Sequence, residues 1–358
     1  MSGIVSDIQK GNQDWRDQLR NSIVRPGQIP GRFSVDRQAM EKVLARYPMR
    51  IPPYYLALIQ KEKDPLWRQC VADPEELKDL SNAPDPLSEE DQSPVSAIIH
   101  RYPDRVIFLV SNQCAMYCRY CMRKRKVGDL NRHFGGRWPE IEQGMEYIRQ
   151  TPEIDDVILS GGDPLLLETP MLGLILDRLK AISHVGMVRI HTRVPCTLPM
   201  RITENLVSVL KTFRPLYINT HFNHPDEVTP EAEKACGMLA DAGIPLGCQT
   251  VLLKGVNDDP RTMATLMKRL VHMRVKPYYL HHPDPVAGTA HFRPSPDTGL
   301  AIMKQLRGNL SGLCVPQYMI DLPGGNGKIP LVPDYVKSLS RDSALVENFQ
   351  GRLCTYPF

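Results

Sequence analysis

From about residue 99 to 310 short apolar runs alternate with longer amphipathic segments, and this alternation limits the possible folds more than any other feature of the chain. The runs fall at 106–110, 157–160, 188–190, 216–219, 249–253 and 277–280. Helix-like spacing of apolar residues fills 138–149, 171–182, 204–213, 230–242, 260–273 and 297–307. Strand, helix and strand repeated six times imply parallel strands joined by right-handed crossovers. The class is therefore α/β, either a partial (β/α)6 barrel or a doubly wound open sheet. The polar residues that directly follow the runs decide between these. Cys114 to Cys121, Ser160-Gly161-Gly162-Asp163, Thr192-Arg193, Asn219-Thr220-His221 and His281-His282 would gather at one mouth. The C-terminal rim of a barrel is where such groups converge on a ligand, so a partial (β/α)6 TIM-type barrel is expected.

The flanks read differently. Residues 1–98 form an expected N-terminal helical region, interrupted by prolines at 26, 30, 48, 52 and 53, and the polar, proline-rich stretch 81–94 marks a boundary. The barrel then takes 99–310, and a C-terminal segment takes 311–358, with one more strand possible over 314–322. That strand leads into Pro323-Gly324-Gly325-Asn326-Gly327-Lys328. On the glycines alone a surface lysine is the commoner outcome, although glycine also lets the backbone bring Lys328 against a ligand.

A chain of 358 residues can bury a sizeable core, and a net charge of +4 gives no argument for nucleic acid. No stretch is apolar enough to span a membrane, and the first twenty residues lack the apolar centre of a signal peptide, so a cytoplasmic protein is expected. Of nine cysteines, Cys70, Cys196, Cys236, Cys248, Cys314 and Cys354 are scattered without pairing logic, which argues against a disulfide framework. Cys196, Cys248 and Cys314 read as small buried hydrophobes.

The other three, Cys114, Cys118 and Cys121, lie within eight residues just past a strand, a placement that suits a metal. Three thiolates on a [4Fe–4S] cluster leave one iron open. A structural zinc usually takes two spaced pairs of ligands, and no second pair lies nearby. The basic run Arg119, Arg123, Lys124, Arg125 and Lys126 adjoins the cysteines, where anionic ligands would be expected. Asp284 and Asp321 could bind a cationic group or cap turns. Arg101 and Arg105 could take a phosphate, or be solvated or ion-paired.

Taken together, the cysteine triad, LSGGDPLL, NTHFNHPDEVT, LADAGIPLGCQTVLLKGVND, AGTAHFR and PGGNGKIPLVPDYV resemble the lysine 2,3-aminomutase family of radical S-adenosylmethionine enzymes, from about Asp14 to nearly the end. The resemblance implies a [4Fe–4S] cluster on Cys114, Cys118 and Cys121, with S-adenosylmethionine chelating the open iron. Gly161, Gly162 and Asp163 would then hold its methionine amino group, Tyr120 would face the adenine, and His221 and Gln249 would lie near the nucleoside. It also implies pyridoxal 5′-phosphate, with Lys328 as the catalytic Schiff-base lysine and Arg101 and Arg105 on the phosphate. Arg123 matches the arginine that pairs with the substrate α-carboxylate, and Asp284 and Asp321 match the aspartates that hold the ε-ammonium of lysine.

The implied reaction moves the α-amino group of lysine to Cβ, giving β-lysine, by 5′-deoxyadenosyl radical and imine chemistry. Two carboxylates facing a substrate carboxylate would repel it, so lysine is the first choice and arginine 2,3-aminomutation the second. A radical enzyme acting on another substrate and an iron–sulfur electron-transfer protein are the remaining alternatives. Expected partners are the amino acid, an electron donor such as flavodoxin or ferredoxin, and further copies of the chain. Two positions depart from the family pattern. Asp259 stands where longer members carry a zinc-binding cysteine, so no structural zinc is expected, and His281 replaces the tyrosine of clostridial-type enzymes.

Overall fold

The computed structural model describes residues 14–79, 82–128 and 136–358. Residues 1–13 of the expected helical region and Ser81 of the connector lie outside the described residues. The N-terminal block contributes α1 (Trp15–Arg20), α2 (Arg37–Leu44), α3 (Pro53–Leu58) and α4 (Pro65–Cys70). Three of these start on an aspartate: the carboxylates of Asp14, Asp36 and Asp64 each accept from a backbone N–H of the first turn.

A nine-stranded sheet follows, with its strands in chain order. It comprises β1 (Ile98–Tyr102), β2 (Arg105–Ser111), β3 (Asp156–Gly161), β4 (Met187–His191), β5 (Leu216–Thr220), β6 (Leu246–Val251), β7 (Lys276–His281), β8 (Gln317–Asp321) and β9 (Lys328–Pro330). Strands β2 to β8 are mutually parallel. The outer strands β1 and β9 run antiparallel to their neighbours. The six crossovers carry α5 (Trp138–Gln150), α6 (Thr169–Lys180), the short α7 (Val194–Thr197) with α8 (Glu204–Leu210), α9 (Pro230–Asp241), α10 (Pro260–His272) and α11 (Pro296–Leu306). The result is the expected mixed α/β half-barrel.

The local reasons are plain. Every residue of β3 is buried, as a parallel strand covered on both faces requires. In α10 the buried residues Met263, Leu266, Met267 and Leu270 form one stripe, and Asp259 caps the helix by accepting from the Thr262 N–H at 2.8 Å. One apolar core joins Trp15, Tyr55 and Trp67 of the N-terminal block to Phe108, Leu176, Leu266 and Tyr318 of the barrel. Cys196, Cys248 and Cys314 are buried, as their sequence context suggests.

Three elements differ from expectation. The fifth apolar run, 249–253, is strand only to Val251, because the Asn257 side chain accepts from the Leu253 N–H at 2.7 Å and turns the chain there. Leu252 and Leu253 are buried loop residues, which periodicity alone does not separate from strand. Strand β1 was not anticipated: it is folded back on β2 through the Pro103-Asp104 turn, and Tyr102 pairs with Arg105. After β9 the chain makes a separate antiparallel sheet of β10 (Val336–Leu339), β11 (Ser343–Glu347) and β12 (Leu353–Pro357).

Candidate active site

At the C-terminal ends of β2 and β3 two loops lie almost in contact. The Gly162 N–H donates to Ser111 O at 2.6 Å, and the Asp163 N–H donates to Gln113 O at 2.7 Å. A Cβ on Gly162 would sit 2.4 to 2.7 Å from the Gln113 backbone, and one on Gly161, whose φ is +118°, would sit 2.2 Å from Ser111 O. The glycine pair therefore lets the segment after β3 dock on the base of the cysteine loop. Gly162→Ala is expected to separate the two loops at a cost of about 1–3 kcal/mol. The denaturation midpoint should fall, and so should the iron retained after anaerobic reconstitution. A variant that keeps full iron content would show that this contact does not shape the cysteine loop.

The N-terminal block braces the same loop from the other side. Arg50 Nη1 donates to Gln113 Oε1 at 3.0 Å and to Cys114 O at 3.2 Å, while the Arg119 N–H donates to Gln69 O at 2.9 Å. The basic run that the sequence suggested for anionic ligands meets protein carboxylates in this structure. Buried Glu76 accepts from Arg119 Nε at 2.9 Å and also takes Lys124. Buried Glu89 accepts from Arg123 Nη2 at 2.7 Å, Asp85 pairs with Arg125 at 2.8 Å, and Glu90 pairs with Lys126 at 3.1 Å. Burial alone would raise Glu76, but the charges of Arg119 and Lys124 hold it below the ordinary carboxylate range. Burial pushes Lys124 down to about 8 in spite of Glu76.

Cys114, Cys118 and Cys121 sit half-buried on this braced loop. Burial, and after it the neighbouring groups, push the Cys114 thiol up, and Cys121 is pushed up to about 11. Arg193, directly after β4, donates from Nη1 to Cys118 Sγ at 2.8 Å and from Nη2 to Glu227 Oε1 at 2.7 Å. Among the described residues no three His, Cys, Asp or Glu side chains converge on a single ion. A cubane cluster takes each thiolate on a different iron, so three free thiols within eight residues fit a cluster.

Around the triad, the Asn223 amide donates to Tyr120 Oη at 2.5 Å, and the Tyr120 ring meets Phe292 edge-on at 6.0 Å. His221 follows β5, and burial with the Arg193 charge takes it down to about 4, so it is a neutral imidazole. Gln249 is buried within β6. The Asp163 carboxylate is buried and already accepts from Thr192 Oγ1 at 2.7 Å and the Arg193 N–H at 2.8 Å, tying the loops after β3 and β4 together.

The glycine-rich segment lies at the far end of the sheet, between β8 and β9. Gly324 (φ +69°), Gly325 (φ +74°) and Gly327 (φ +87°) turn the chain from β8 into β9. The Gly324 N–H donates to Pro86 O at 2.8 Å. Lys328 opens β9 directly across from Asp321, with Nζ 3.2 Å from Oδ2. Asp321 also lies 3.8 Å from Arg101 and 3.8 Å from His281. Desolvation first, and then the Asp321 charge, push Asp284 up to about 7.

The structure thus brings Arg101, Asp321, Lys328 and His281 into direct proximity. Arg105 is one ring away: its guanidinium lies 3.9 Å from the Tyr102 ring, and Tyr102 Oη is 3.7 Å from where a Cβ on Gly327 would stand. Arg123 faces Glu89 and donates to Ser160 Oγ at 3.2 Å. Sequence reasoning missed Glu76, Glu89, Glu227 and Gln69, each of which positions a residue of the mouth. Their one available signal was acidic residues sharing the chain with an unusually dense basic run.

A family profile described as Lysine-2,3-aminomutase matches residues 303–358, and one described as Radical SAM superfamily matches residues 108–267. A Methanococcus maripaludis protein named L-lysine 2,3-aminomutase is 46% identical over 96% of this chain and 81% of its own length. The Clostridium subterminale protein of the same name is 44% identical over 96% of this chain and 83% of its own. A Clostridioides difficile protein named glutamate 2,3-aminomutase is 41% identical over 98% of this chain and 84% of its own. Among solved structures, Streptococcus suis SuiB bound to S-adenosylmethionine aligns with a TM-score of 0.46 at 11% identity, covering 62% of this chain and 51% of that one. The chain spans about half the length of SuiB. Identity above 40% across nearly the whole length, in addition to the two profile matches, leaves one placement: the chain is a member of the lysine 2,3-aminomutase family of radical S-adenosylmethionine enzymes.

Proposed function

We propose that this enzyme is an L-lysine 2,3-aminomutase. The observation that carries the reading is Asp321 paired with Lys328 at 3.2 Å, with Asp284 near enough for the Asp321 charge to push its carboxyl up. When bound, the cluster with S-adenosylmethionine supplies a 5′-deoxyadenosyl radical for hydrogen removal, and pyridoxal phosphate supplies the carbonyl that carries the migrating nitrogen. Cys114, Cys118 and Cys121 would hold the cluster. Gly161, Gly162, Asp163, Tyr120, His221 and Gln249 would hold S-adenosylmethionine. Lys328 would take the pyridoxal aldehyde, with Arg101 and Arg105 on its phosphate. Arg123 would orient the α-carboxylate, and Asp284 with Asp321 would fix the ε-ammonium so that Cβ is presented for hydrogen removal.

Two carboxylates select against a glutamate side chain by like-charge repulsion in a desolvated site. They suit lysine first and the broader guanidinium of arginine second. The reading is tested by anaerobic turnover of the reconstituted enzyme on an equimolar mixture of lysine, arginine, ornithine and glutamate, with β-isomers identified by mass spectrometry. Dominant β-lysine supports it, whereas dominant β-arginine reassigns the two aspartates to a guanidinium.

A pH dependence follows from Asp284. Its pKa lies near 7, so the carboxylate becomes charged as pH rises through neutrality, and a cationic side chain should bind more tightly above that point. The apparent KM for lysine is expected to fall between pH 6 and pH 8, and Asp284→Asn should flatten that profile. Stability runs the other way. A carboxyl whose folded pKa is raised stabilises the fold at low pH, and this contribution is lost as pH rises past 7, so Asp284→Asn should melt higher than the parent at pH 8.

We also read the chain as a homo-oligomer, because Leu339, Leu353 and Tyr356 leave exposed apolar side chains on the three-stranded sheet. A flavodoxin- or ferredoxin-type carrier is the electron donor in this reading, and a reducing, cytoplasmic compartment suits the nine free cysteines. Among the described residues no helix is long and apolar enough to cross a membrane. The division into an N-terminal helical region to residue 98, a barrel to 310 and a lysine-bearing segment to 358 is part of the same proposal.

A further inference from the structure

Arg193 is buried, and its guanidinium is shared among three acceptors, a sulfur, a carboxylate and an amide oxygen. Nη1 points at Cys118 Sγ from 2.8 Å, while Nη2 reaches Glu227 at 2.7 Å and Gln69 Oε1 at 2.5 Å. Glu227 is fully buried and is itself fixed by the Tyr55 hydroxyl at 2.6 Å and by the N–H groups of Asn223 at 2.6 Å and His224 at 3.0 Å. The Tyr55 and Tyr120 rings flank the side chain at 5.9 and 5.5 Å, and its backbone N–H donates to Asp163. A residue needed only to neutralise Glu227 would have no reason to aim its second nitrogen at one sulfur of the triad.

We propose that Arg193 is a positioning residue that donates a hydrogen bond to the Cys118 sulfur and thereby makes the cluster easier to reduce. The proposal rests on the reading of the three cysteines as cluster ligands. A donor to a ligand sulfur stabilises the more negative, reduced state, so the potential rises, and hydrogen bonds to sulfur are among the factors that set such potentials. The step itself is a single electron transfer: an external one-electron carrier is oxidised, the cluster is reduced, and no bond or proton changes at Arg193. Glu227 holds the guanidinium in place without contacting the sulfur. The network therefore reaches from the N-terminal helices, through Gln69 and Tyr55, to one sulfur of the triad.

The test is a redox titration of the reconstituted holoenzyme followed by electron paramagnetic resonance, with Arg193→Gln and Arg193→Lys beside the parent. Glutamine can leave Glu227 buried without a counter-charge and lose the fold. Lysine keeps the charge, but as a point donor it cannot span the three acceptors, so Arg193→Lys is the deciding variant. At a poise that half-reduces the parent, the variant should hold about tenfold less reduced cluster relative to oxidised, a displacement of 59 mV for a one-electron couple. It should do so with unchanged iron content and a changed signal shape. Parental potential and signal in a folded, fully loaded Arg193→Lys protein would overturn the proposal. Loss of iron from that variant at an unchanged melting temperature would also overturn it, making Arg193 a residue of cluster assembly. Absence of any cluster in the parent would instead remove the underlying reading.

Discussion

Lys328→Ala is expected to abolish amino-group migration, by on the order of 10⁴-fold or more, as loss of a covalent catalytic group does elsewhere. The imine absorbance of protein mixed with pyridoxal phosphate should vanish with it. Iron content should stay at the parental level, because the contacts of Lys328 are with Asp321 and the Tyr279 ring, and none reaches the cysteine loop. Reductive cleavage of S-adenosylmethionine should continue in the absence of product. A Lys328→Ala protein that still forms the imine band would place the aldehyde on another amine. One that loses iron as well would mean that the two ends of the mouth are structurally inseparable.

The second large effect concerns the side-chain anchor. Asp321→Asn should raise the apparent KM for lysine by roughly 30-fold to several thousand-fold, since removing one partner of a buried, hydrogen-bonded charge pair costs about 2–5 kcal/mol and each 1.4 kcal/mol is about a factor of ten. Cluster and pyridoxal phosphate loading should persist. The same substitution takes away the carboxylate that Lys328, Arg101 and His281 share, so cofactor loading must be measured alongside the kinetics. If lysine kinetics are unchanged with both cofactors bound, Asp321 is not the anchor.

How much of this could be read from the residues depends on the range of the interaction. The parallel half-barrel was legible because each βα unit writes its own period into a continuous stretch, and β3 and α10 show that signal without interruption. The three cysteines were legible because their spacing is local. The hairpin strand β1 was hidden, since Ile98–Tyr102 is short and its pairing is set by the Pro103-Asp104 turn. Strand β6 ends short of the apolar run because the side chain of Asn257, beyond that run, decides where it leaves the sheet.

The partners of the basic run were hidden for a different reason. Glu76 and Arg119 are 43 residues apart, and Glu89 and Arg123 are 34 apart. Nothing in the composition around Glu89, a stretch of Ser, Glu, Asp and Gln, marks it as a buried carboxylate. The glycine pair after β3 stood out in the sequence, but its fit against Ser111 and Gln113 needed coordinates.

The stretch just before β1 has a consequence for how this sequence can drift. Within a few residues it supplies Pro86 O to the glycine loop, Glu89 to Arg123 and Gln92 Oε1 to Arg101 at 2.7 Å. By composition it would be aligned and scored as a linker, free to lengthen, shorten or change charge. In fact each of those three contacts reaches a different part of the mouth, so a one-residue deletion would put all three out of register together. Insertions and deletions should therefore be purged here as stringently as in β3, while single polar exchanges at the positions between the contacts accumulate.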